Sequence, residues 1–146
     1  MDTIDVKLLS PDDALQIEAV EKACFPAPWS QNAILESFGN NTVFFGVFSG
    51  STLSGYCGLQ MICGEGYITN LAVLPQYRRT GVAKSILSAV INYSAENKLK
   101  FISLEVRVSN TAAVALYKSF NFENAGIRKN FYRLPKEDAY IMTRNL

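Results

Sequence analysis

The segment from Asn70 to Leu87, NLAVLPQYRRTGVAKSIL, carries residue types that bind a phosphorylated ligand. An apolar strand pattern leads into a turn with two arginines and then into an amphipathic helix. Small residues at a helix start leave backbone N–H groups unpaired and reachable, so an anion can bind there. Gly81 and Ala83 allow close approach to the backbone, and the guanidinium groups of Arg78 and Arg79 can add charge-assisted hydrogen bonds. The arrangement is suited to a pyrophosphate.

The spacing of this segment excludes two common phosphate loops. A P-loop requires G-x-x-x-x-G-K-[ST], but the glycine positions before Lys84 and Ser85 hold Arg78 and Ala83. A dinucleotide fingerprint requires three glycines as G-x-G-x-x-G, and only Gly81 is present. A plain strand–turn–helix with solvated arginines stays open as the alternative.

Glu105 is a candidate general base. In the predicted strand ISLEVR, Ile102, Leu104 and Val106 share one face, and Ser103, Glu105 and Arg107 share the other. A partly buried carboxylate in an apolar strand can have the pKa that proton transfer requires. A solvated Glu105–Arg107 face and a structural ion pair are the alternatives.

The next predicted helix begins at Asn110 and contains Tyr117. They are seven residues apart and therefore lie on nearly the same side of it. The amide could bind polar groups of an extended ligand, and the phenol could donate a proton. The alternatives are an ordinary N-cap for Asn110 and simple packing for Tyr117.

The chain contains no histidine, which limits the chemistry further. Ser-His-Asp and Cys-His mechanisms and His-ligated metals are excluded, and we expect no metal cofactor. Proton transfer must use a carboxylate, a tyrosine, a thiol, a lysine or water.

The overall composition predicts one cytoplasmic domain spanning residues 1–146. Hydrophobic residues make up 49% of the chain and charged residues 18%, as in an ordinary globule. The net charge of +1 predicts neither a nucleic-acid nor a membrane partner. Cys24, Cys57 and Cys63 lie in apolar surroundings without C-x-x-C spacing, so we expect buried thiols.

The order of elements predicts an α+β fold with a mixed, mainly antiparallel sheet flanked by helices. In the first helix we expect Leu15, Ala19 and Ala23 to face inward. Strands are predicted over residues 5–9, 42–49, 53–63, 101–106, 123–131 and 138–144, with another ending at residue 73. Helices are predicted over residues 11–24, 31–38 and 110–120, and between them a helix with Val82, Ile86, Val90 and Tyr93 on one stripe.

Four segments resemble the RimI type of GNAT N-acetyltransferase, and the resemblance covers nearly the full chain. The pattern R-x-x-G-x-A after the strand resembles the acyl-coenzyme A loop of GNAT enzymes. The segments are EKACFPAPWS (21–30), TNLAVLPQYRRTGVAKSIL (69–87), LEVRVSNTAAVALYKSFNF (104–122) and RKNFYRLPKEDAYIM (128–142). The resemblance implies a sheet in which two parallel strands splay apart and admit the pantetheine arm of acetyl-coenzyme A.

The resemblance also implies a role for each candidate residue. Glu105 matches the general base and Tyr117 the general acid. Phe25, Pro26, Trp29 and Tyr132 match positions that line the pocket for a peptide N-terminus. The positions that match coenzyme contacts are Leu71, Ala72 and Val73 on the strand, Arg78, Arg79, Thr80, Gly81, Val82, Ala83 and Lys84 in the loop, and Asn110.

The reaction implied is direct transfer of an acetyl group from acetyl-coenzyme A to a protein N-terminus. The acceptor implied is the N-terminal alanine of a small-subunit ribosomal protein. We expect the enzyme to be a monomer. A transferase for a small-molecule amine, such as a polyamine or an antibiotic, is one alternative. A non-catalytic coenzyme A-binding regulatory module is another. A nucleic-acid binder acting through Arg78 and Arg79 is a third, weakened by the absence of a wider basic patch.

Overall fold

The structure is a computed structural model that describes residues 4–146. Seven strands and four helices are present in this range. The helices are α1 (Ala14–Cys24), α2 (Gln31–Phe38), α3 (Val82–Glu96) and α4 (Thr111–Ser119). The strands are β1 (Lys7–Leu8), β2 (Thr42–Ser49), β3 (Thr52–Ile62), β4 (Glu65–Val73), β5 (Phe101–Arg107), β6 (Glu123–Arg133) and β7 (Lys136–Asn145).

All seven strands form one sheet in the order β1-β2-β3-β4-β5-β7-β6. Every pairing is antiparallel except that of β4 with β5, which is parallel. The parallel pair is registered at only two positions, Gly66 with Ile102 and Tyr67 with Ser103. The predicted α+β fold and its splayed parallel strands are therefore confirmed.

The two faces of the sheet are covered by different helices. On the α3 face, α3 and α4 pack on alternate residues of β5, namely Ile102, Leu104 and Val106. On the α1 face, α1 and α2 pack on Phe44 and Tyr56 among others. Because strand side chains alternate, Ser103, Glu105 and Arg107 belong to the α1 face.

The prediction for the inward face of α1 is wrong. Leu15, Ala19 and Ala23 are exposed, while the buried side carries Ala14, Ile17, Val20 and Glu21. The sequence did not predict this buried side because it includes the carboxylate of Glu21, and carboxylates are rarely buried without partners.

The cysteines also differ from expectation. Cys57 is buried and Cys24 is partly buried, but Cys63 is exposed. Cys63 occupies the tight turn between β3 and β4, where its φ is +52°, and a turn of this kind lies at the surface.

Two further findings bear on function. None of the helices formed by residues 4–146 is long and apolar enough to cross a bilayer. Within the same residues, no three His, Cys, Asp or Glu side chains are grouped to hold a metal ion.

Candidate active site

The centre of the molecule is an opening between β4 and β5. Beyond the pair Tyr67–Ser103, β4 continues to Val73 against β3, and β5 continues to Arg107 against β7. The facing edges therefore present backbone N–H and C=O groups that do not bond to each other. Such groups require partners, and an extended ligand between the strands can supply them. Leu71, Ala72 and Val73 lie on the β4 side of this opening.

The loop after β4 is built to bind an anion. Gly81 is the N-cap of α3 with φ +89°, and Arg79 has φ +63°, so both are in the left-handed region. The first helical bond runs from the Ser85 N–H to the Gly81 carbonyl, 3.0 Å away. Backbone N–H groups of residues 79–84 have no acceptor among residues 4–146. These donors and the helix dipole favour a phosphate.

The loop side chains divide into two groups. Arg79 and Lys84 are exposed, and the Thr80 hydroxyl donates to the Tyr77 carbonyl. Arg78 instead lies against the end of β4, where its Nε donates to the Val73 carbonyl at 3.0 Å and its Nη2 is 3.7 Å from Cys24 Sγ. The Arg78 guanidinium thus links the end of β4 to the end of α1.

Glu105 lies on the α1 face beside the opening and is paired with Arg128. The Glu105 Oε1 atom accepts from Arg128 Nε at 3.2 Å, and the carboxylate side chain is 31% exposed. A structural ion pair was one of the alternatives open from the sequence, and the structure shows such a pair, with Arg128 as the partner. Exposed pairs of this kind contribute little to stability, about 0–1 kcal/mol.

Tyr132 lies next to Glu105 and is fixed by Arg107. The guanidinium of Arg107 stacks on the Tyr132 ring at 4.2 Å from its centroid. The same guanidinium donates to the carbonyls of Leu134 and Pro135 and to Glu137. Burial raises the pKa of Tyr132, the Arg107 charge opposes that shift, and the nearby Glu105 carboxylate adds to it. Arg107 therefore holds the β6–β7 connection beside the candidate base.

Tyr117 of α4 lies in the core of the α3 face, in the same cluster as Val73 of β4 and Val106 of β5. Its ring is buried and packs on Phe122 with centroids 5.7 Å apart. Burial raises the pKa of its phenol above the ordinary value, and the nearby Cys57 and Tyr132 add to the shift. Its hydroxyl bonds to no group among residues 4–146. The phenol is therefore neutral at physiological pH and has a proton to donate.

Asn110 is the N-cap of α4. Its Oδ1 accepts from the Ala113 N–H at 3.2 Å, which is the ordinary capping role. A contact with the coenzyme could use the Nδ2 group or the second lone pair of Oδ1.

The segment between α1 and α2 carries Phe25, Pro26 and Trp29 on the α1 face. Phe25 and Pro26 are exposed, while Trp29 packs against the core. The Trp29 N–H donates to Glu21 Oε1 at 3.0 Å, and the Tyr56 hydroxyl donates to Glu21 Oε2 at 2.7 Å. The segment is thus tied to α1 and β3 through a carboxylate that is 1% exposed. Sequence reasoning missed Glu21, because nothing in its neighbours distinguishes it from a surface glutamate.

Two further side chains were missed, Thr69 and Asn70 on β4. Both present a buried oxygen without a partner among the described residues. The available signal was a polar pair inside the apolar run ITNLAV.

A family model described as the acetyltransferase (GNAT) family matches residues 14–122. The chain belongs to the GNAT family. It is therefore an N-acetyltransferase, and its co-substrate is acetyl-coenzyme A. The parted strands and the N–H groups of residues 79–84 fit that molecule: the opening would hold its pantetheine arm, and the start of α3 would hold its pyrophosphate.

Named relatives and solved structures agree with the family assignment. The ribosomal protein bS18-alanine N-acetyltransferase of Escherichia coli strain K12 is 32% identical over 84% of each chain. The Salmonella typhimurium protein of the same name is 31% identical over 94% of each chain. The crystal structure of the Escherichia coli ribosomal-protein-S18-alanine N-acetyltransferase matches with a TM-score of 0.91 and 29% identity, covering 98% of this chain and 94% of the other.

Proposed function

We propose that this GNAT enzyme acetylates the α-amine of a protein N-terminus, with the N-terminal alanine of ribosomal protein bS18 as the acceptor. The observation that carries the proposal is the opening between β4 and β5, and its support comes from Glu105 of β5 on the α1 face and Tyr117 in the core of the α3 face. The names of the relatives support the acceptor. Their ribosomal substrate also supports action in the cytoplasm. We propose further that the enzyme is a single domain spanning residues 1–146 and works as a monomer.

The reaction proceeds in a ternary complex. The amine enters from the α1 face and its nitrogen attacks the thioester carbon, so a C–N bond forms and the C–S bond breaks. Glu105 accepts the proton that the amine loses, directly or through a water. Backbone N–H groups of β4 stabilise the oxyanion. Tyr117 donates its proton to the departing thiolate and regains one from solvent.

The energy of deprotonation favours an α-amine over a lysine side chain. An α-amine has a pKa near 8, so forming the neutral nucleophile at pH 7 costs about 1.4 kcal/mol. A lysine amine with a pKa near 10.4 would cost about 4.6 kcal/mol. A partly exposed carboxylate such as Glu105 is adequate for the first and weak for the second.

The charges around the opening argue against a polyamine. Arg107 and Arg128 are paired with Glu137 and Glu105, so these two pairs leave no surplus of negative charge beside β5. A polyamine is attracted by such a surplus, whereas a peptide carries a single positive charge at its reacting end.

The test is an acetyl-coenzyme A assay over short peptides that begin with Ala, Ser, Met or Gly. The matched control is a lysine-containing peptide with a blocked N-terminus, and spermidine is the small-amine control. We expect thiol release and a mass increase of one acetyl group on free N-termini only. Preferred acetylation of the blocked peptide or of spermidine would refute the proposal, and so would coenzyme binding without any thiol release.

A further inference from the structure

Glu21 of α1 carries a buried carboxylate that the proposed reaction does not use. The residue is 1% exposed. No lysine or arginine of residues 4–146 forms an ion pair with it. A buried charge without a cationic partner is costly, and apolar residues of similar size often replace buried charged groups without loss of stability. Stability alone therefore does not explain a glutamate at this position.

Glu21 holds both ends of one short segment. We call residues 25–29, which follow α1, the acceptor segment, because Phe25, Pro26 and Trp29 are predicted to line the pocket for a peptide N-terminus. The Phe25 N–H donates to the Glu21 carbonyl at 2.9 Å. The Trp29 N–H donates to Glu21 Oε1 at 3.0 Å. The acceptor segment is thus a loop closed on a single residue.

The other carboxylate oxygen of Glu21 is bonded to the sheet. The Tyr56 hydroxyl of β3 donates to Glu21 Oε2 at 2.7 Å. Burial raises the pKa of Tyr56, and the Glu21 charge adds to the shift, so the phenol keeps the proton that it donates. Hydrogen bonds to an ionised acceptor are stronger than bonds between neutral groups. Glu21 therefore fixes the end of the acceptor segment to β3.

The acceptor segment lies against the edge of the opening that β4 forms. Trp29 packs against the cluster that contains Ala72 of β4. Cys24, immediately before the segment, donates its thiol to the Val73 carbonyl at 3.4 Å. Both Ala72 and Val73 lie beyond Tyr67, the last residue of β4 that pairs with β5. Glu21 thus holds the segment beside the part of β4 that has separated from β5.

We propose that Glu21 is a positioning residue for the acceptor, and that its carboxylate holds the acceptor segment in the arrangement that receives the peptide N-terminus. This assignment rests on the proposed function. Without the carboxylate the segment would exchange among several arrangements, and the apparent affinity for a peptide falls with the fraction of molecules in the competent one. The N–H groups proposed to hold the pyrophosphate lie at the start of α3, so the effect of Glu21 falls on the peptide alone.

The decisive variant combines Glu21→Met with Tyr56→Phe. Methionine matches glutamate in length, and phenylalanine removes the phenol that would otherwise lose its acceptor. Of the two donors to the carboxylate, only the Trp29 N–H is then left without a partner. We expect KM for an Ala-initiated peptide to rise roughly tenfold, with kcat and the acetyl-coenzyme A KM each within about twofold of wild type. Tyr56→Phe alone keeps the Trp29 bond, so its peptide KM should stay far below that of the double variant.

A conservative variant and a structural control accompany the double variant. In Glu21→Gln the amide oxygen can still accept from the Trp29 N–H, so the peptide KM should remain near that of wild type. Gln16→Ala is the control on the same helix. Gln16 Oε1 accepts from the Leu53 N–H of β3 at 2.8 Å, so its loss should lower Tm and leave the peptide KM unchanged.

Trp29 is the single tryptophan of the chain, so its fluorescence reports directly on the acceptor segment. At a temperature well below Tm, the double variant should show red-shifted emission and stronger quenching by acrylamide than wild type. Glu21→Gln and Gln16→Ala should both match wild type. This measurement needs no substrate and is independent of activity.

Three results would overturn the inference. In the first, wild type acetylates the peptide and the double variant keeps the peptide KM within about twofold, against the expected loss of the competent arrangement. In the second, both KM values rise equally. In the third, Gln16→Ala raises the peptide KM as much as the double variant does. If wild type acetylates no peptide at all, the proposed function fails, and Trp29 emission then shows separately whether Glu21 holds the segment.

Discussion

Replacing Tyr117 by phenylalanine should lower kcat about a hundredfold while leaving the fold almost unchanged in stability. A general acid contributes on the order of 10²–10⁴ to a rate, and a hundredfold loss corresponds to about 2.7 kcal/mol of activation free energy. The ring contact with Phe122 is kept in the variant. The hydroxyl has no partner among the described residues, so its removal leaves no buried group unpaired.

Tyr56→Phe provides the opposite case with the same chemical change. Tyr56 is fully buried, and its hydroxyl donates to Glu21 at 2.7 Å. A hydrogen bond to a carboxylate is worth about 1.5–3 kcal/mol, so a loss of about 2 kcal/mol should lower Tm by roughly 4–8 °C in a chain of this size. Tyr56 lies on β3, outside the two strands that part, so kcat per folded molecule should be kept. Its partner Glu21 also accepts from the Trp29 N–H, so any kinetic change should appear in the peptide KM.

The two variants are compared by thermal unfolding and by steady-state kinetics at saturating acetyl-coenzyme A. Burial raises the pKa of Tyr117, so its phenol stays protonated to above pH 10 and should cause no loss of kcat between pH 8 and pH 10. A Tyr117→Phe enzyme with wild-type kcat would remove the phenol from the acid role. A Tyr56→Phe protein as stable as wild type would show that a hydrogen-bond partner does not decide how much a tyrosine hydroxyl contributes to stability here.

Three further predictions concern the α1 face. Glu105→Gln should lower kcat at neutral pH and lose less at alkaline pH, where the amine deprotonates unaided; a pH–rate profile parallel to that of wild type would exclude Glu105 as base. Arg107→Lys should raise the peptide KM roughly tenfold, because lysine cannot bond to the carbonyls of Leu134 and Pro135 and also stack on Tyr132. The acetyl-coenzyme A KM is the control, and an equal rise in both KM values would contradict a local effect. The bonds from Ser109 and Arg107 lower the pKa of Glu137 below 4.5, so its stabilising effect is present above pH 4.5 and is lost as the pH falls through the folded pKa. Glu137→Gln should thus lower Tm at pH 7 and match wild type at the acid end, and a Tm difference independent of pH would count against this linkage.

The fold was predictable because its signals are local or depend on a known family pattern. The turn with Gly81 and the apolar stripe of α3 predict the anion loop from a few residues. The alternation along β5 correctly separates Glu105 from Ile102 and Leu104. The parting of β4 from β5 came from the resemblance alone, since no local pattern shows where two strands stop pairing.

The parts that sequence reasoning missed depend on partners far along the chain. Glu21 is buried because Tyr56, 35 residues away, and the Trp29 N–H both donate to it. The bond from the Arg78 guanidinium to the Val73 carbonyl was likewise not expected, and the contact of Arg78 with a phosphate stays a prediction. Residue type alone could not have predicted these contacts of Glu21 and Arg78, because each contact depends on groups that only the folded chain brings together.

Strand β4 has a bulge at Thr69, and this irregularity shows the same limit. A strict period of two would place Thr69 and Asn70 on opposite faces, and one of them would then point into the core of the α3 face. The extra residue prevents this and shifts the register only where Gly58, without a side chain, leaves room on the neighbouring strand. It also lies two residues beyond the last parallel pair, Tyr67 with Ser103, close to the point where the strands part. The opening leaves backbone groups of β4 and β5 unpaired with each other. That cost is tolerable only if substrates pair with those groups.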